Sequence, residues 1–220
     1  MSNAISALIK KAICFAVEAH GDQVRKTTGS PYVMHPIAVG RMLADYDCED
    51  STVVAAAILH DVLEDTPVTA EGLRQEFGHE VFNFVLEVTE PEKELSYFKR
   101  KQRTIAHVYS MSLGAKLIKV ADMIDNLRSD DLCLKLKDCG LGAGLFWDKL
   151  RGGRDGTHWY HRMMNNALGR DLGDESRYTR PELILQQLVQ MHDELIDHVW
   201  PDIVLSSARE FEKSAESCGA

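Results

Sequence analysis

The sequence has few cysteines, no long apolar run and no excess of basic residues. Its five cysteines are odd in number and scattered along the chain, and no two are spaced as CxxC. This usage argues against a disulfide framework and against a zinc knuckle, and is typical of a reducing compartment. No apolar run approaches the roughly 20 residues that span a bilayer, and the N-terminus lacks the layout of a signal peptide. The sequence therefore predicts a cytoplasmic protein outside the membrane.

The charge balance excludes a further class of partner. The chain has 25 basic and 34 acidic residues, a net charge of −9. Binding of a nucleic-acid polymer needs a basic face, so such a partner is not expected. A small anionic ligand remains compatible with this balance if a few cations are gathered locally. With 220 residues, of which 45% are hydrophobic and 27% charged, the chain has the composition of one globular domain.

Apolar residues recur at three- and four-residue steps along most of the chain, as in amphipathic helices. Period-two alternation, typical of strands, is not evident. The sequence therefore predicts an all-α single domain over residues 1–220, with a motif-bearing core at 5–130, a divergent segment at 131–180 and a C-terminal helical region at 181–213. The expected helices span about residues 4–20, 36–46, 53–63, 69–78, 79–89, 96–111 and 112–127, with fragments at 147–150 and 158–168 and a last helix from 181.

The densest group of polar residues is the run His60-Asp61-Val62-Leu63-Glu64-Asp65-Thr66, at the end of the most apolar predicted helix. Helical spacing places one histidine and three carboxylates at one end and side of that helix. Crowded like charges are costly unless a cation binds among them. The run therefore indicates either a divalent metal site or an ordinary solvated helix end.

Two distant fragments favour the metal site. His35 precedes Pro36 at the start of a predicted helix, and Asp122 lies four residues before Asn126 on another. Together with His60 and Asp61, His35 and Asp122 form a nitrogen and oxygen ligand set that suits Mn, Fe, Zn or Ni. Four protein ligands leave coordination positions for water and substrate, as in hydrolytic metal sites.

The sequence resembles the HD-domain metal-dependent phosphohydrolases, and within them the hydrolase domain of RelA/SpoT-type alarmone enzymes. The resemblance covers roughly residues 5–130 and implies a single HD-type helical bundle, a stand-alone small alarmone hydrolase. It is carried by HGDQVRK at 20–26, GSPYVMHP at 29–36, HDVLEDT at 60–66, FG at 77–78, EVT at 87–89, and AD and NLR within 121–128.

The resemblance also implies roles for individual residues. It assigns a metal, usually manganese with other divalent ions open, to the ligands His35, His60, Asp61 and Asp122. It assigns Glu64 and Asp65 to activation of the attacking water, Arg25 and Lys26 to the nucleotide base, and Asn126 to the ribose. Substrate phosphates need cations, and the helix that bears Asp122 offers Lys116, Lys119 and Arg128; Lys119 and Arg128 are predicted to bind substrate.

The implied reaction is removal of the 3′-diphosphate from guanosine tetra- or pentaphosphate, giving GDP or GTP and pyrophosphate. Related nucleotides remain alternatives, either an adenosine alarmone or NADPH losing its 2′-phosphate. A further alternative is a nucleotide sensor without turnover, although such a protein is expected to lose a ligand or the Glu64-Asp65 pair. The sequence leaves the oligomeric state open.

Several residues have a simpler interpretation. From sequence alone, solvated loop charges are the more common outcome for Arg25 and Lys26, and Tyr32 is expected to be a packing residue. His158 and His161 are three apart, but no third ligand accompanies them, so a second metal site is not expected.

The sequence also departs from the family pattern at three places. The loop at 27–29 is one residue longer than the common form, and Asp125 stands where the family often has His or Tyr. Residues from about Gly140 to Arg180, with Arg151 and Arg154, are expected to border the active site and to help select the nucleotide.

Overall fold

A computed structural model describes residues 6–26, 28–90, 94–138, 147, 150–170, 172 and 179–201. Within the range 94–138, side chains are described as far as residue 130. The described residues form helices, with no strand beyond an isolated bridge between Val24 and Pro31. The all-α class is therefore confirmed. The helices are α1 Ala7–His20, α2 Met34–Asp45, α3 Ser51–Leu59, α4 Val62–Asp65, α5 Ala70–Val88, α6 Tyr97–His107 with a 3₁₀ turn at Val108–Ser110, α7 Leu113–Asp138, α8 Gly153–Gly169 and α9 Arg180–Val199.

Helix α3 lies at the centre of the core. Every residue from Val53 to Leu59 is buried, because α1, α2, α5 and α7 pack around this helix. Helix α7 also packs against α9, and α8 packs against α6 and α9. One buried apolar cluster extends from Ala12 on α1 to Leu188 on α9. The two ends of α3 and the faces of α2 and α7 are thereby fixed relative to one another.

The predicted helix over 53–63 is interrupted, and this is a correction to the sequence-based expectation. Helix α3 ends at Leu59, and α4 begins after Asp61, whose carbonyl accepts hydrogen bonds from the N–H groups of Glu64 and Asp65. His60 Nδ1 donates to the carbonyl of Ala57 at 2.8 Å. These local hydrogen bonds place His60 and Asp61 in a turn, so Glu64 does not follow His60 on a continuous helix.

Gly78 ends one helical segment, as expected: with φ of 80° and ψ of 177° it is a non-helical residue that divides α5 into two segments. One further helix differs from its expected boundaries. The expected fragment at 158–168 is part of the longer helix α8. At its start a Cβ on Gly152 would lie 2.6 Å from the ring of Tyr97. This close approach holds the beginning of α8 against α6.

Some predicted features lie outside the described residues. These are Thr27 and residues 139–146, 148–149, 171, 173–178 and 202–213. In the part of the chain that is described, we find no helix with the length and apolar character needed to cross a membrane.

Candidate active site

His35 lies in the first turn of α2 and is buried. Its Nδ1 donates a hydrogen bond to Asp125 Oδ2 at 2.7 Å. This leaves Nε2 as the nitrogen that faces two carboxylates, 3.2 Å from Asp122 Oδ1 and 3.6 Å from Asp61 Oδ2. Because a neutral imidazole donates through one nitrogen and accepts through the other, Asp125 turns the lone pair of His35 toward this point.

His60 is held in an equivalent way by the backbone. Its Nδ1 donates to the Ala57 carbonyl, and its Nε2 lies 3.2 Å from Asp61 Oδ2 and 3.8 Å from Asp122 Oδ1. Although these carboxylates are near, none of the described residues forms a hydrogen bond with the buried Nε2 of His60. A buried nitrogen aimed at two carboxylates without a hydrogen bond is a group that requires a further partner.

The structure thus brings the four predicted metal ligands together. The ligand atoms of His35, His60 and Asp122 lie within 4.8 Å of one another, and Asp61 Oδ2 approaches both imidazole nitrogens. Two Nε2 lone pairs and two carboxylates form a ligand set that suits a borderline divalent cation. The Nδ1 atoms of both histidines donate hydrogen bonds, as metal-binding histidines typically do. The residues present fit a divalent metal ion.

Lys119 and Asn126 fix the carboxylate of Asp122. Lys119 Nζ donates to Asp122 Oδ2 at 3.0 Å, and Asn126 Nδ2 donates to Oδ1 at 2.6 Å. Burial opposes ionisation, but the ammonium of Lys119 holds the pKa of Asp122 well below its ordinary value. Asp122 is therefore an ionised carboxylate in the interior. Lys119 is buried against it and does not belong to the cavity lining.

Glu64, Asp65 and Tyr32 lie beside the ligands. Tyr32, expected to be a packing residue, donates its hydroxyl to Asp61 Oδ2 at 2.7 Å and approaches Asp65 Oδ2 at 3.1 Å. Glu64 Oε1 accepts the N–H of Glu90 at 2.8 Å. Burial, together with the charge of Asp61, raises the pKa of Glu64 to about 7. A carboxyl group in this range can both accept and return a proton near neutral pH.

A cavity of about 590 Å³ opens beside this group. Its lining includes four of the predicted site residues, Arg25, Lys26, Asp65 and Asn126, but not Glu64. Arg25 is held by three hydrogen bonds, to Asp125 at 2.8 Å, Ser129 at 2.7 Å and Asn126 at 2.5 Å. Arg25 is therefore an ordered part of the wall rather than a solvated loop charge. Lys26 is exposed at the rim.

Arg128 is not brought to this cavity. It is exposed, and its guanidinium lies 3.1 Å from Met191 Sδ on α9. A role of Arg128 in substrate binding therefore stays a prediction.

The cavity also contains four residues that sequence reasoning did not individually assign to the site, two of them on α6 and two within the segment expected to border it. Tyr97, Lys101, Tyr160 and His161 line it. Lys101 Nζ lies 2.7 Å from Glu90 Oε1 and 4.2 Å from the centre of the Tyr160 ring. The run of two aromatic and three basic residues from Tyr97 to Lys101 is a signal that could have indicated an anion-binding wall.

The described part of the divergent segment borders the cavity, as expected. Leu150, Arg151, Gly152 and Thr157 contribute to the lining, in addition to Tyr160 and His161. Arg154, which was paired with Arg151 in the expectation, is not among the lining residues. The part played by this segment in selecting a nucleotide stays a prediction.

Comparison with known proteins identifies relatives of the motif-bearing region. The sequence matches the HD domain family over residues 12–136. It is 42% identical over 130 residues to the Xenopus tropicalis protein named guanosine-3′,5′-bis(diphosphate) 3′-pyrophosphohydrolase MESH1, covering 58% of this chain and 72% of that one. The Homo sapiens protein of the same name is 39% identical over 130 residues, with coverage of 58% and 72%.

Solved structures agree with the sequence comparison. One, described as a metazoan ortholog of SpoT that hydrolyzes ppGpp, superposes with a TM-score of 0.65 at 31% identity, covering 86% of this chain and 97% of that one. A crystal structure from Listeria monocytogenes superposes with a TM-score of 0.64 at 31% identity, covering 80% and 100%. All four candidate ligands fall in the matched region, and the chain belongs to the HD domain family.

Proposed function

We propose that this chain is a metal-dependent pyrophosphohydrolase that removes the 3′-diphosphate from guanosine tetra- or pentaphosphate. The products are GDP or GTP and pyrophosphate, and the site of action is the cytoplasm. The observation that carries the proposal is the convergence of His35, His60, Asp61 and Asp122 beside a cavity lined with cations. The names of the relatives supply the substrate class.

The reaction transfers the 3′-diphosphoryl group to water. The bond between the ribose 3′ oxygen and phosphorus breaks, the oxygen of water ends on pyrophosphate, and a proton reaches the 3′ oxygen. A bound divalent cation, manganese in this proposal, polarises phosphate oxygens and lowers the pKa of water. Glu64 and Asp65 orient the attacking water and accept its proton. Tyr32, through its hydroxyl, holds Asp61 and Asp65 at a fixed separation.

Different walls of the cavity bind different parts of the substrate. Arg25 and Lys26 flank the base, and Asn126 contacts the ribose while it also holds Asp122. Lys101 and Arg151 provide positive charge for phosphate groups from the opposite elements, α6 and the beginning of α8. Lys119 acts through Asp122, and Arg128 remains a candidate for contacts outside the cavity.

A release assay across four nucleotides tests the substrate. Guanosine tetraphosphate, guanosine pentaphosphate, an adenosine alarmone and NADPH are incubated with the manganese-loaded chain, and pyrophosphate and phosphate are measured separately. We expect pyrophosphate from the two guanosine compounds. Phosphate from NADPH alone, or pyrophosphate from the adenosine compound alone, would replace the proposed substrate. Tight nucleotide binding with turnover below one per hour would instead indicate a sensor.

Glu64→Gln tests the proposed base. We expect the substitution to lower kcat by about 10²–10⁴-fold, because general-base assistance has this magnitude. Metal content should stay near that of the wild type, since Glu64 is not one of the four proposed ligands and its Oε1 accepts the N–H of Glu90. Glu87→Gln is a matched control, as Glu87 likewise accepts a backbone N–H, that of Ser112. Loss of metal in Glu64→Gln would instead make Glu64 a ligand.

A further inference from the structure

A chain of buried polar side chains connects the surface of α9 to the cavity through α8. Arg162 forms ion pairs with Asp193 and Asp197 on α9. Asn165 Nδ2 donates to Asp193 Oδ1 at 3.2 Å, and Asn165 Oδ1 lies 2.9 Å from His192 Nδ1. His192 Nε2 in turn lies 2.9 Å from His161 Nδ1. Asn165, His161 and His192 are almost completely buried, and His192 has no exposed surface.

The direction of every hydrogen bond in this chain follows from the carboxylate of Asp193 at its outer end. A carboxylate only accepts, so the amide of Asn165 presents its nitrogen to Asp193 and its oxygen to His192. His192 Nδ1 must then carry the proton, which leaves Nε2 as an acceptor. His161 Nδ1 must donate to that acceptor. The remaining nitrogen of His161, Nε2, is consequently the one without a proton in the neutral ring.

Both imidazoles are neutral in this environment. Burial and then the charge of Arg162 lower the pKa of His192 to about 3. Burial and the neighbouring His192 also lower the pKa of His161 well below its ordinary value. A second proton on either ring would add a positive charge near those of Arg162, Lys101 and Lys119. None of the described carboxylates contacts either ring to compensate for it.

His161 lines the cavity, and within the described part of the chain its hydrogen bonds are confined to His192. Its wall of the cavity otherwise contains the ammonium of Lys101, the hydroxyls of Tyr97 and Tyr160 and the guanidinium of Arg151. A neutral acceptor in this wall disfavours a phosphate oxygen, because two lone pairs would face each other. It favours an O–H or N–H group of a ligand.

From this geometry we propose that His161 Nε2 accepts a hydrogen bond from the nucleoside part of the substrate, and so determines specificity. The donor is the ribose 2′-hydroxyl or the exocyclic amine of the base. Lys101 and Arg151 take the phosphates on the same wall. His192 and Asn165 are positioning residues, which act by fixing the proton on His161 Nδ1. The proposal rests on the proposed hydrolysis of a guanosine alarmone for the identity of these two donors.

The proton position on His161 is measured first, on the full chain loaded with diamagnetic magnesium. Nitrogen-15 NMR of histidine-labelled protein distinguishes the two neutral tautomers, and a His161→Phe sample assigns the signal. We expect a neutral His161 with the proton on Nδ1. His192→Phe should move the proton to Nε2 in a measurable fraction of molecules, which a merely structural role of His192 would not do. Protonation of Nε2 in the wild type would overturn the proposal.

Specificity is then measured as kcat/KM for three substrates. They are guanosine 3′,5′-bis(diphosphate), its 2′-deoxy analogue and its inosine analogue, which lacks the exocyclic amine. His161→Phe should lower kcat/KM for guanosine 3′,5′-bis(diphosphate) by about tenfold, the loss expected when one hydrogen bond is removed. For the analogue that lacks the group donating to His161, the loss should be at most twofold. An equal loss on all three substrates would overturn the proposal.

A control on the same helix separates this effect from packing. His158 lies three residues earlier on α8 and is buried, with its ring centre 5.2 Å from that of Trp200. It does not line the cavity. His158→Phe should leave the ratios among the three substrates unchanged. If the wild type releases no pyrophosphate, the proposed function fails, and the NMR measurement alone decides whether His161 is an acceptor.

Discussion

Each histidine of the proposed metal site is oriented by a hydrogen bond from Nδ1, which leaves its Nε2 facing the carboxylates. For His60 the acceptor is the carbonyl of Ala57, and for His35 it is the carboxylate of Asp125. The backbone acceptor belongs to α3 and is insensitive to side-chain substitution. Asp125 can be replaced, and it also accepts from Arg25, so it links the metal site to the wall of the cavity.

Asp125→Asn should weaken metal binding. An amide can present a donor to His35 and removes the charge that increases the basicity of the imidazole, and such changes typically cost about 10–100-fold in affinity. Calorimetric titration of the metal-free chain with Mn²⁺ measures the effect. Ser129→Ala is the matched control, because Ser129 also binds Arg25 but does not contact His35. An unchanged Kd in Asp125→Asn would show that Asp125 does not orient the ligand.

Asp130 makes stability depend on pH. Burial raises its pKa to about 7 from an ordinary 3.8, against the opposing charge of Arg25. The folded state therefore binds more protons than the unfolded state between about pH 4 and 7, so the free energy of unfolding falls as pH rises through this window. Above pH 7 the cost of ionised Asp130 is at most about 4 kcal/mol.

Asp130→Asn should remove that cost. We expect the variant to be more stable than the wild type at pH 8 by about 1–4 kcal/mol and nearly equal to it at pH 4.5. Urea denaturation at both pH values measures the difference. Asp45→Asn, at an exposed position on α2, should change stability little at either pH. A variant that is no more stable at pH 8 would contradict the assigned burial of the charge.

The close approach of α2 and α3 sets the distance between the two ligating histidines. A Cβ on Gly40 of α2 would lie 2.5 Å from Ile58 Cγ1 and 3.3 Å from the carbonyl of Val54. Only glycine allows this contact without displacement. His35 lies at the start of α2 and His60 directly after α3, so a shift between these helices would change the metal site as well as the core.

Gly40→Ala should therefore reduce both stability and metal affinity. Overpacking of this kind costs about 1–3 kcal/mol, measured by urea denaturation. Ile58→Ala removes the clashing atom, so the double variant should lose less stability than the sum of the single variants, by about 1 kcal/mol. Additive losses would show that α2 does not press on Ile58.

The helices could largely be predicted from apolar spacing, but two boundaries could not. From Val53 to Leu63 only His60 and Asp61 are polar, which does not by itself predict a helix end, whereas the interruption there depends on hydrogen bonds to nearby backbone. Helix α8 begins among glycines, where spacing is uninformative, and its start is fixed by the packing of Tyr97 on Gly152.

The convergence of the four candidate ligands was predictable, whereas much of the cavity was not. His35, His60, Asp61 and Asp122 lie in short motifs whose residue types already indicate a metal. Lys101 and His161 come from helices far apart in the sequence, and no spacing relates them. His161 was interpretable only with its hydrogen-bond partners, because an isolated buried histidine is more often structural.

At the scale of the whole molecule, a chain of net negative charge gathers four basic side chains in one cavity, which Asp65 and Asp130 also line. The chain has a net charge of −9, yet Arg25, Lys26, Lys101 and Arg151 all line one cavity. Acidic groups elsewhere disfavour association with nucleic-acid polymers, while the gathered cations favour a small polyanion. The fold achieves this by bringing the loop after α1, helix α6 and the beginning of α8 to one place beside the metal ligands.

The central claim is that this place holds one divalent cation on four protein ligands. Diffraction from crystals of the chain soaked in Mn²⁺, recorded on both sides of the manganese absorption edge, locates the ion directly. We predict one anomalous peak about 2.0–2.3 Å from His35 Nε2, His60 Nε2 and carboxylate oxygens of Asp61 and Asp122. A peak bound elsewhere, or four groups more than about 3 Å from any common metal position, would contradict the account.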